Sequence, residues 1–400
     1  MTVRVNKQPF NIREKLSELE RPIGVKGNEL MRAETAQEAG ALLGVGRKNM
    51  IINGNQDIDQ RNNGSATANF SGSGHFVTDR WEGYNQNGGT ISGQRVEDAP
   101  PGFKRSIKLT VGTTSSPRPA NAYGGMYYTV EGFDAYRFAW GTSGAKFATL
   151  SFWTKASVAG LYTVAVRDNA FNAYYIATYY IDSVNTWEYK TVTIQPTTSG
   201  SFGAGNGIGF SLFFALDTGS NAHGTAVNSW VVGGGNKYAT SGMASLFATS
   251  GNTWQITGVQ MEVGKNATEF EHRSYGEEFT LCQRYYQSYG LETDRSAQGP
   301  FRIVWSSNGA ASQALTGFMF PTPMRTYPSV TSYGSGSAGG NFKVYTGTNS
   351  ATISAFSSIT RSNRSMRINY SLGVGAGDAA GWIDVGDAAN HHAFTLDAEL

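Results

Sequence analysis

Glu269, Glu271, His272, Arg273, Glu277 and Glu278 fall within ten residues of one another, and the only cysteine, Cys282, follows four residues later. Two carboxylates on one side of an extended segment could serve as acid and base in glycoside hydrolysis. A histidine near a thiol could form a nucleophilic pair. The local pattern argues for a joint instead. Ser274 to Glu277 reads "SYGE", a capping-box match that starts a helix, so His272 precedes the helix and nothing orients it. Glu278 then favours the positive end of the helix dipole. Phe279, Cys282, Tyr286 and Tyr289 follow an a-d-a-d spacing. That spacing predicts an apolar seam in which Cys282 acts as a small hydrophobe.

Other groups could do chemistry elsewhere. "NGNQDID" places Asn53, Asn55, Asp57 and Asp59 at alternate positions, which on a strand would align four oxygens for calcium. An EF-hand loop requires Gly at its sixth position and Glu at its twelfth, and Ile58 and Gly64 stand there. A solvated strand edge is the competing reading. "GAGNGIG", "VVGGGN" and "GVGAG" lack the Lys-Ser/Thr of a phosphate loop and read as turns. His391 and His392 would face opposite ways on a strand. Asp384 and Asp387 flank a turn.

Aromatic residues offer a binding chemistry. Sugar sites stack flat rings on apolar sugar faces and add a few polar groups. Tyr84, Tyr123, Tyr127, Trp140, Trp230 and Tyr238 sit among Gly, Asn and Ser and are the candidate glycan contacts. A plug on the rim of the fold is the competing role for each, and Tyr333 and Tyr345 mark a rival site. Phe152, Trp153 and Trp187 lie in regular alternation and read as core.

The elements that would position these residues are mostly strands. Glycine supplies 50 of 400 residues, aromatics 12% and charged residues only 16%, a mixture suited to short strands and tight turns. "FATLSFWTKAS", "YTVAVRD", "AYYIATYYI", "TWEYKTVTIQP", "GIGFSLFFAL" and "TWQITGVQMEV" alternate with period two, and each is bounded by turn residues. The pattern predicts an antiparallel sandwich. No fixed-period repeat favours a propeller or β-helix. The first forty-six residues differ, with Asn11 and "TAQE" at Thr35–Glu38 starting short helices that Pro22 and Gly44 end. Ile12, Leu16, Leu19 and Ile23 form a seam that serves either self-association or packing on the same chain.

Thirty-two basic against thirty acidic residues give +2, no electrostatic footprint for nucleic acid or an anionic membrane. One cysteine excludes an internal disulfide framework. The N-terminus "MTVRVNKQPFNIREKLSELE" has no apolar core of signal-peptide length and no window reaches about eighteen apolar residues, so a role outside the cell implies release by lysis or a dedicated route.

Several stretches carry a resemblance: "KNMIINGNQDIDQR", "TDRW", "QRVEDAPPGFKRSIKL", "TLSFWTKAS", "NTWEYKTVTI", "ITGVQMEVGKNATEFEHRSYGEEFTLCQRYYQ" and "FTLDAEL". Together they resemble bacteriophage tail-fibre and receptor-binding proteins from Arg47 to Leu400. "ELMRAETAQEAGALLGVG" is similar to a segment that precedes such heads. The resemblance implies a mainly β chain: a helical attachment segment at 1–46, a jelly-roll sandwich akin to carbohydrate-binding modules at 47–273, a linking helix at 274–290 and a smaller β domain at 291–400. It implies a homotrimer in the virion, exposed outside the host cell. Such a trimer would attach to other tail proteins through its N-terminal segment and adsorb to a host-surface glycan without catalysis. Ile12, Leu16, Leu19, Ile23, Phe279, Cys282 and Tyr286 are its expected trimer or attachment seam. No cofactor is expected beyond a structural calcium, for which Asn53, Asn55, Asp57 and Asp59 are the candidates. The alternatives are a structural virion protein (capsid decoration or fibre adaptor) and a polysaccharide-degrading tailspike.

Overall fold

A computed structural model describes residues 47–289, 305–307, 313–332, 342–346, 349–372, 382–385 and 394–400. The chain divides into two compact units, Met1–Lys48 and Asn49–Leu400. The first lies almost wholly outside the described residues, and the expected Ile12, Leu16, Leu19 and Ile23 seam lies there too.

The second unit begins with β1 (Ser73–Thr78), β2 (Trp81–Gln86), β3 (Ile91–Val96), β4 (Ser106–Val111) and β5 (Tyr123–Glu131). After α1 (Gly132–Ala135) come β6 (Ala148–Ala156), β7 (Gly160–Asp168), β8 (Ala173–Ile181) and β9 (Glu188–Ile194). The strands β10 (Ile208–Thr218), β11 (Trp230–Val232) and β12 (Thr253–Val263) complete this part. Among the described residues they make two antiparallel sheets, in the orders β1-β2-β5-β10-β7-β8-β11 and β3-β4-β12-β6-β9. The chain changes sheet between β2 and β3 through Asn87, Gly88 and Gly89, whose φ angles of 56°, 159° and 65° suit a tight turn.

Period-two alternation buries one face of each sheet against the other. Trp81, Tyr128, Leu212 and Phe214 from the first sheet meet Leu150, Phe152, Trp254 and Ile256 from the second in one core. Phe152 stands edge-on to Phe214 with ring centroids 5.2 Å apart. The fold is the expected antiparallel sandwich. Phe152 is core as expected, whereas Trp187 lies before β9 and its Nε1 donates to Asp98 over 3.2 Å.

Beyond the sandwich lie α2 (Tyr275–Gln283), β13 (Tyr286–Tyr289), β14 (Trp305–Ser307), β15 (Gln313–Met319) and β16 (Ser329–Ser332). They are followed by β17 (Phe342–Thr346), β18 (Asn349–Arg361), β19 (Ser365–Leu372), β20 (Trp382–Val385) and β21 (Phe394–Asp397). Strands β13-β21-β16 form one small sheet and β14-β15-β19-β18-β17-β20 another.

The acidic cluster around α2 is a joint. Ser274 caps the helix, its Oγ accepting from Glu277 N over 3.3 Å. Glu278 is buried, accepts from Asn53 N and pairs with Arg273 at 3.3 Å. Arg273 also donates to the carbonyls of Asn49 and Ile51, so this helix fastens the first residues of the sandwich. Helix and seam depart from expectation at Gln283. The helix stops there, and Tyr286 and Tyr289 belong to a strand, so Phe279, Cys282 and Tyr286 do not share a helix face. Cys282 is fully buried within its own chain against Ile52, Ile58 and Tyr285. Tyr286 is also buried, with the Arg61 guanidinium 3.8 Å from its ring centroid. Ser274→Ala is expected to cost roughly 0.5–2 kcal/mol in chemical unfolding, the usual value of a lost N-cap.

Candidate functional site

Four of the six candidate aromatics come together on the outer face of the larger sheet. Tyr84 stands on β2, and Tyr123 and Tyr127 stand on β5. Tyr238 arrives on the loop after β11. The register explains the grouping: Tyr84 pairs with Gly125, which lies between the two β5 tyrosines, and Tyr127 pairs with Phe213 of β10. A Cβ on Gly125 would stand 2.0 Å from the Phe214 carbonyl oxygen and 2.9 Å from the Phe213 ring. Only glycine permits this approach.

The rings form a connected set. Tyr84 stacks on Tyr123 at 5.4 Å, and Tyr123 stacks on Tyr238 at 4.7 Å. Tyr127 meets Tyr84 edge-on at 5.5 Å. Phe213 lies beneath, 4.3 Å from Tyr127 and 4.7 Å from Tyr238. Tyr84, Tyr123 and Tyr127 are half-buried, and Tyr238 is buried. They line a cleft of about 300 Å³ together with Glu82, Thr129, Arg167, Phe171, Ile208, Ser211, Asn236 and Leu400.

Polar atoms fix this surface. Tyr127 Oη donates to Tyr238 Oη over 2.6 Å, and Tyr84 Oη donates to Gln86 over 3.0 Å. Arg167 Nη1 donates to Tyr238 Oη over 2.6 Å, and its Nη2 donates to Asn236 Oδ1 over 2.8 Å. Burial pushes the Tyr84 hydroxyl up to about 12 and the Tyr127 hydroxyl well above its usual value, so both remain neutral donors in ordinary buffers. Burial also raises the Glu82 carboxyl above its ordinary value.

Trp140 and Trp230 do not reach the cleft. Trp140 is 5% exposed, stacks on Phe138 at 4.8 Å and donates its Nε1 to the Lys146 carbonyl. Trp230 packs 5.4 Å from Trp140 and donates to the Gln195 carbonyl. Trp140 belongs to the sandwich core and the half-buried Trp230 packs against it, since each indole N–H finds a carbonyl and each ring an aromatic neighbour.

The expected calcium face on a strand does not form. Asn53 and Gln56 have φ of 58° and 63°, which turns the backbone there. Asn53 Oδ1 accepts from Ile58 N, and the two Asp59 oxygens accept from Asn62 N and Gly64 N. Asp57 accepts from Asn55 and faces Arg105 at 3.3 Å. Among the described residues no three His, Cys, Asp or Glu side chains gather as metal ligands. The nucleophile reading of Cys282 also falls, since burial pushes its thiol well above the usual range while His272 lies exposed between Phe103 and Phe270. His391, His392 and Asp387 lie outside the described residues.

Asp79 links the sandwich to the last strands. It accepts from the Gln60 N–H, and Gln60 Nε2 reaches the Tyr286 carbonyl. Burial pushes the Asp79 carboxyl up to about 7, with the Gln60 bonds and the Arg61 charge offsetting only part. A carboxyl raised in the folded state stabilises the fold below its unfolded value near 4 and loses that contribution as pH rises through about 7. The slope is at most about 1.4 kcal/mol per pH unit. Asp79→Asn is expected to remove this component from denaturant midpoints measured across pH 4–8, and an unchanged slope would contradict it.

Sequence reasoning missed Arg167, Glu82, Phe171 and Asn236. Arg167 ends the apolar run "YTVAVRD", where alternation alone puts it on the outer face.

No family model and no curated protein matches the sequence. Solved structures show distant likeness. The enzymatically active domain of a tailspike protein from bacteriophage CBA120 is 16% identical with a TM-score of 0.30, over 54% of this chain and 21% of that one. A family 11 carbohydrate-binding module of a Clostridium thermocellum cellulosomal cellulase is 14% identical with a TM-score of 0.27, over 49% of this chain and 98% of that one. A putative sugar-binding protein of Bacteroides thetaiotaomicron is 11% identical with a TM-score of 0.27, over 54% of this chain and all of that one. This chain thus spans about a fifth of the tailspike chain. Likeness at this level carries no argument about function.

Proposed function

We propose that the chain is a non-catalytic glycan-binding protein whose site is the tyrosine cleft on the outer face of the larger sheet. One observation carries the reading: the sheet register and the loop after β11 gather four tyrosines around one cleft, and burial keeps the Tyr84 and Tyr127 hydroxyls neutral. Flat rings suit the apolar faces of sugars, and the hydroxyls and amides beside them suit sugar hydroxyls. Among the described residues the cleft lining holds one acidic side chain, Glu82, and glycoside hydrolysis by acid and base commonly uses two carboxyl groups flanking the bond, which favours the binding reading. The resemblance of the sequence to phage receptor-binding proteins supplies the biological setting. In that setting the chain is a trimeric tail-fibre component of the virion that attaches through residues 1–46 and adsorbs to host-surface sugars.

A glycan array probed with the full chain tests the reading, with bound glycans recovered and sized. Binding with unchanged glycan length is the expected result. Binding to no glycan, or the appearance of shortened products, would overturn it.

A further inference from the structure

Among the described residues Arg167 makes no ion pair. It is 2% exposed, and it lines the tyrosine cleft. Its hydrogen-bond partners are all neutral: the Tyr238 hydroxyl, the Asn236 side-chain oxygen and the Phe171 carbonyl at 3.3 Å. Its Nε is buried without a partner. The guanidinium carbon lies 4.6 Å from the Phe171 ring centroid and 4.8 Å from that of Tyr238. Among the described residues the one other arginine of comparable burial, Arg80, meets Glu399, and the half-buried Arg61 and Arg273 meet Asp397 and Glu278. The half-buried Arg118, by contrast, also bonds only neutral groups, the Gly88 carbonyl and Asn85 Oδ1. Asp168, next in sequence, faces away and accepts from the backbone N–H groups of Asn172, Ala173 and Ser201. Glu82 is three strand spacings distant in the order β2-β5-β10-β7, about 14 Å. A buried charge is costly unless paired, and among the described residues no carboxylate forms an ion pair with this one, although Leu400 also lines the cleft.

We infer that the cleft takes an acidic saccharide, its carboxylate held by Arg167 and its ring faces by the tyrosines. The inference rests on the glycan reading of the same cleft. A planar guanidinium matches a carboxylate in geometry, and a charged hydrogen bond is about twice as strong as a neutral one. Tyr238, itself buried, then has two tasks, backing the Tyr123 ring and fixing the arginine through its hydroxyl.

The test uses the full chain and four polysaccharides (polygalacturonate, alginate, hyaluronate and polysialate), each beside its carboxyl-reduced form at equal ionic strength. At least one acidic member is expected to bind about tenfold or more tightly than its reduced form. Arg167→Met should bring the two to parity, and Arg167→Lys should keep part of the preference. Equal binding of acidic and reduced forms, binding to no acidic member, or a preference that survives Arg167→Met would overturn the inference. If the reduced forms bind and Tyr84→Ala abolishes that binding, the cleft remains the glycan site and only its acidic specificity falls. If Tyr84→Ala changes nothing, the cleft reading falls with it. Should Arg167→Met fail to fold, the comparison on the unsubstituted chain and on Arg167→Lys decides.

Discussion

Glu399→Ala is expected to destabilise the protein by about 3–5 kcal/mol, the usual consequence of removing one partner from a buried ion pair. Glu399 meets Arg80 through one oxygen and Arg61 through the other, at 3.3 Å. The Arg80 side chain is 2% exposed and that of Glu399 only 6%, so water cannot replace the lost carboxylate. Arg80 would keep the Thr129 carbonyl and the face of Tyr285, 3.5 Å from its guanidinium carbon, but no opposite charge beside it among the described residues. Arg61 would keep Asp397 at 2.8 Å, so the damage should centre on Arg80. Denaturant unfolding of Glu399→Ala and of the double variant Arg80→Met/Glu399→Ala checks this. The double variant should recover part of the loss, because no buried charge then stands unpaired. A single-variant loss below about 1 kcal/mol would mean that the pair is solvated, as surface pairs are.

The second large effect concerns binding. Tyr84→Ala/Tyr123→Ala is expected to weaken glycan affinity by about a hundredfold while the fold persists. Aromatic anchors dominate binding energies, and losing two costs about 2–4 kcal/mol. Both rings are half-buried on the outer face, away from the Trp81–Phe214 core, so their loss opens the cleft rather than the sandwich. Tyr238→Ala is a poorer probe, because this buried residue also anchors Arg167 and Tyr127. Trp140→Ala should show the reverse pattern, a lower melting temperature from a cavity in the core with little direct effect on the cleft. Titration calorimetry beside thermal melts separates the two classes.

Alternation made the sandwich legible in the sequence: Leu150 and Phe152 are core as the pattern of "FATLSFWTKAS" implies. The Ser274 cap was legible too, because a capping box is a local signal. The end of α2 was not. Tyr286 and Tyr289 match a helical spacing, but pairing with β21 at Asp397 and Phe394 draws them into a strand. A partner more than a hundred residues away leaves no local trace. The cleft was half legible for the same reason. Glycine-rich surroundings singled out Tyr84 and Trp140 alike, yet the Tyr84–Gly125 register brings one to the cleft while the neighbours Phe138 and Phe210 bury the other. Arg167 was invisible because its isolation depends on which carboxylates the sheet order keeps away.

The most direct measurement is a crystal structure of the full chain with an oligosaccharide selected on the glycan array. The account predicts sugar density against the rings of Tyr84 and Tyr123 on the outer face of the larger sheet. Sugar bound on β14–β20, or elsewhere on the sandwich with the tyrosine cleft empty, would contradict it.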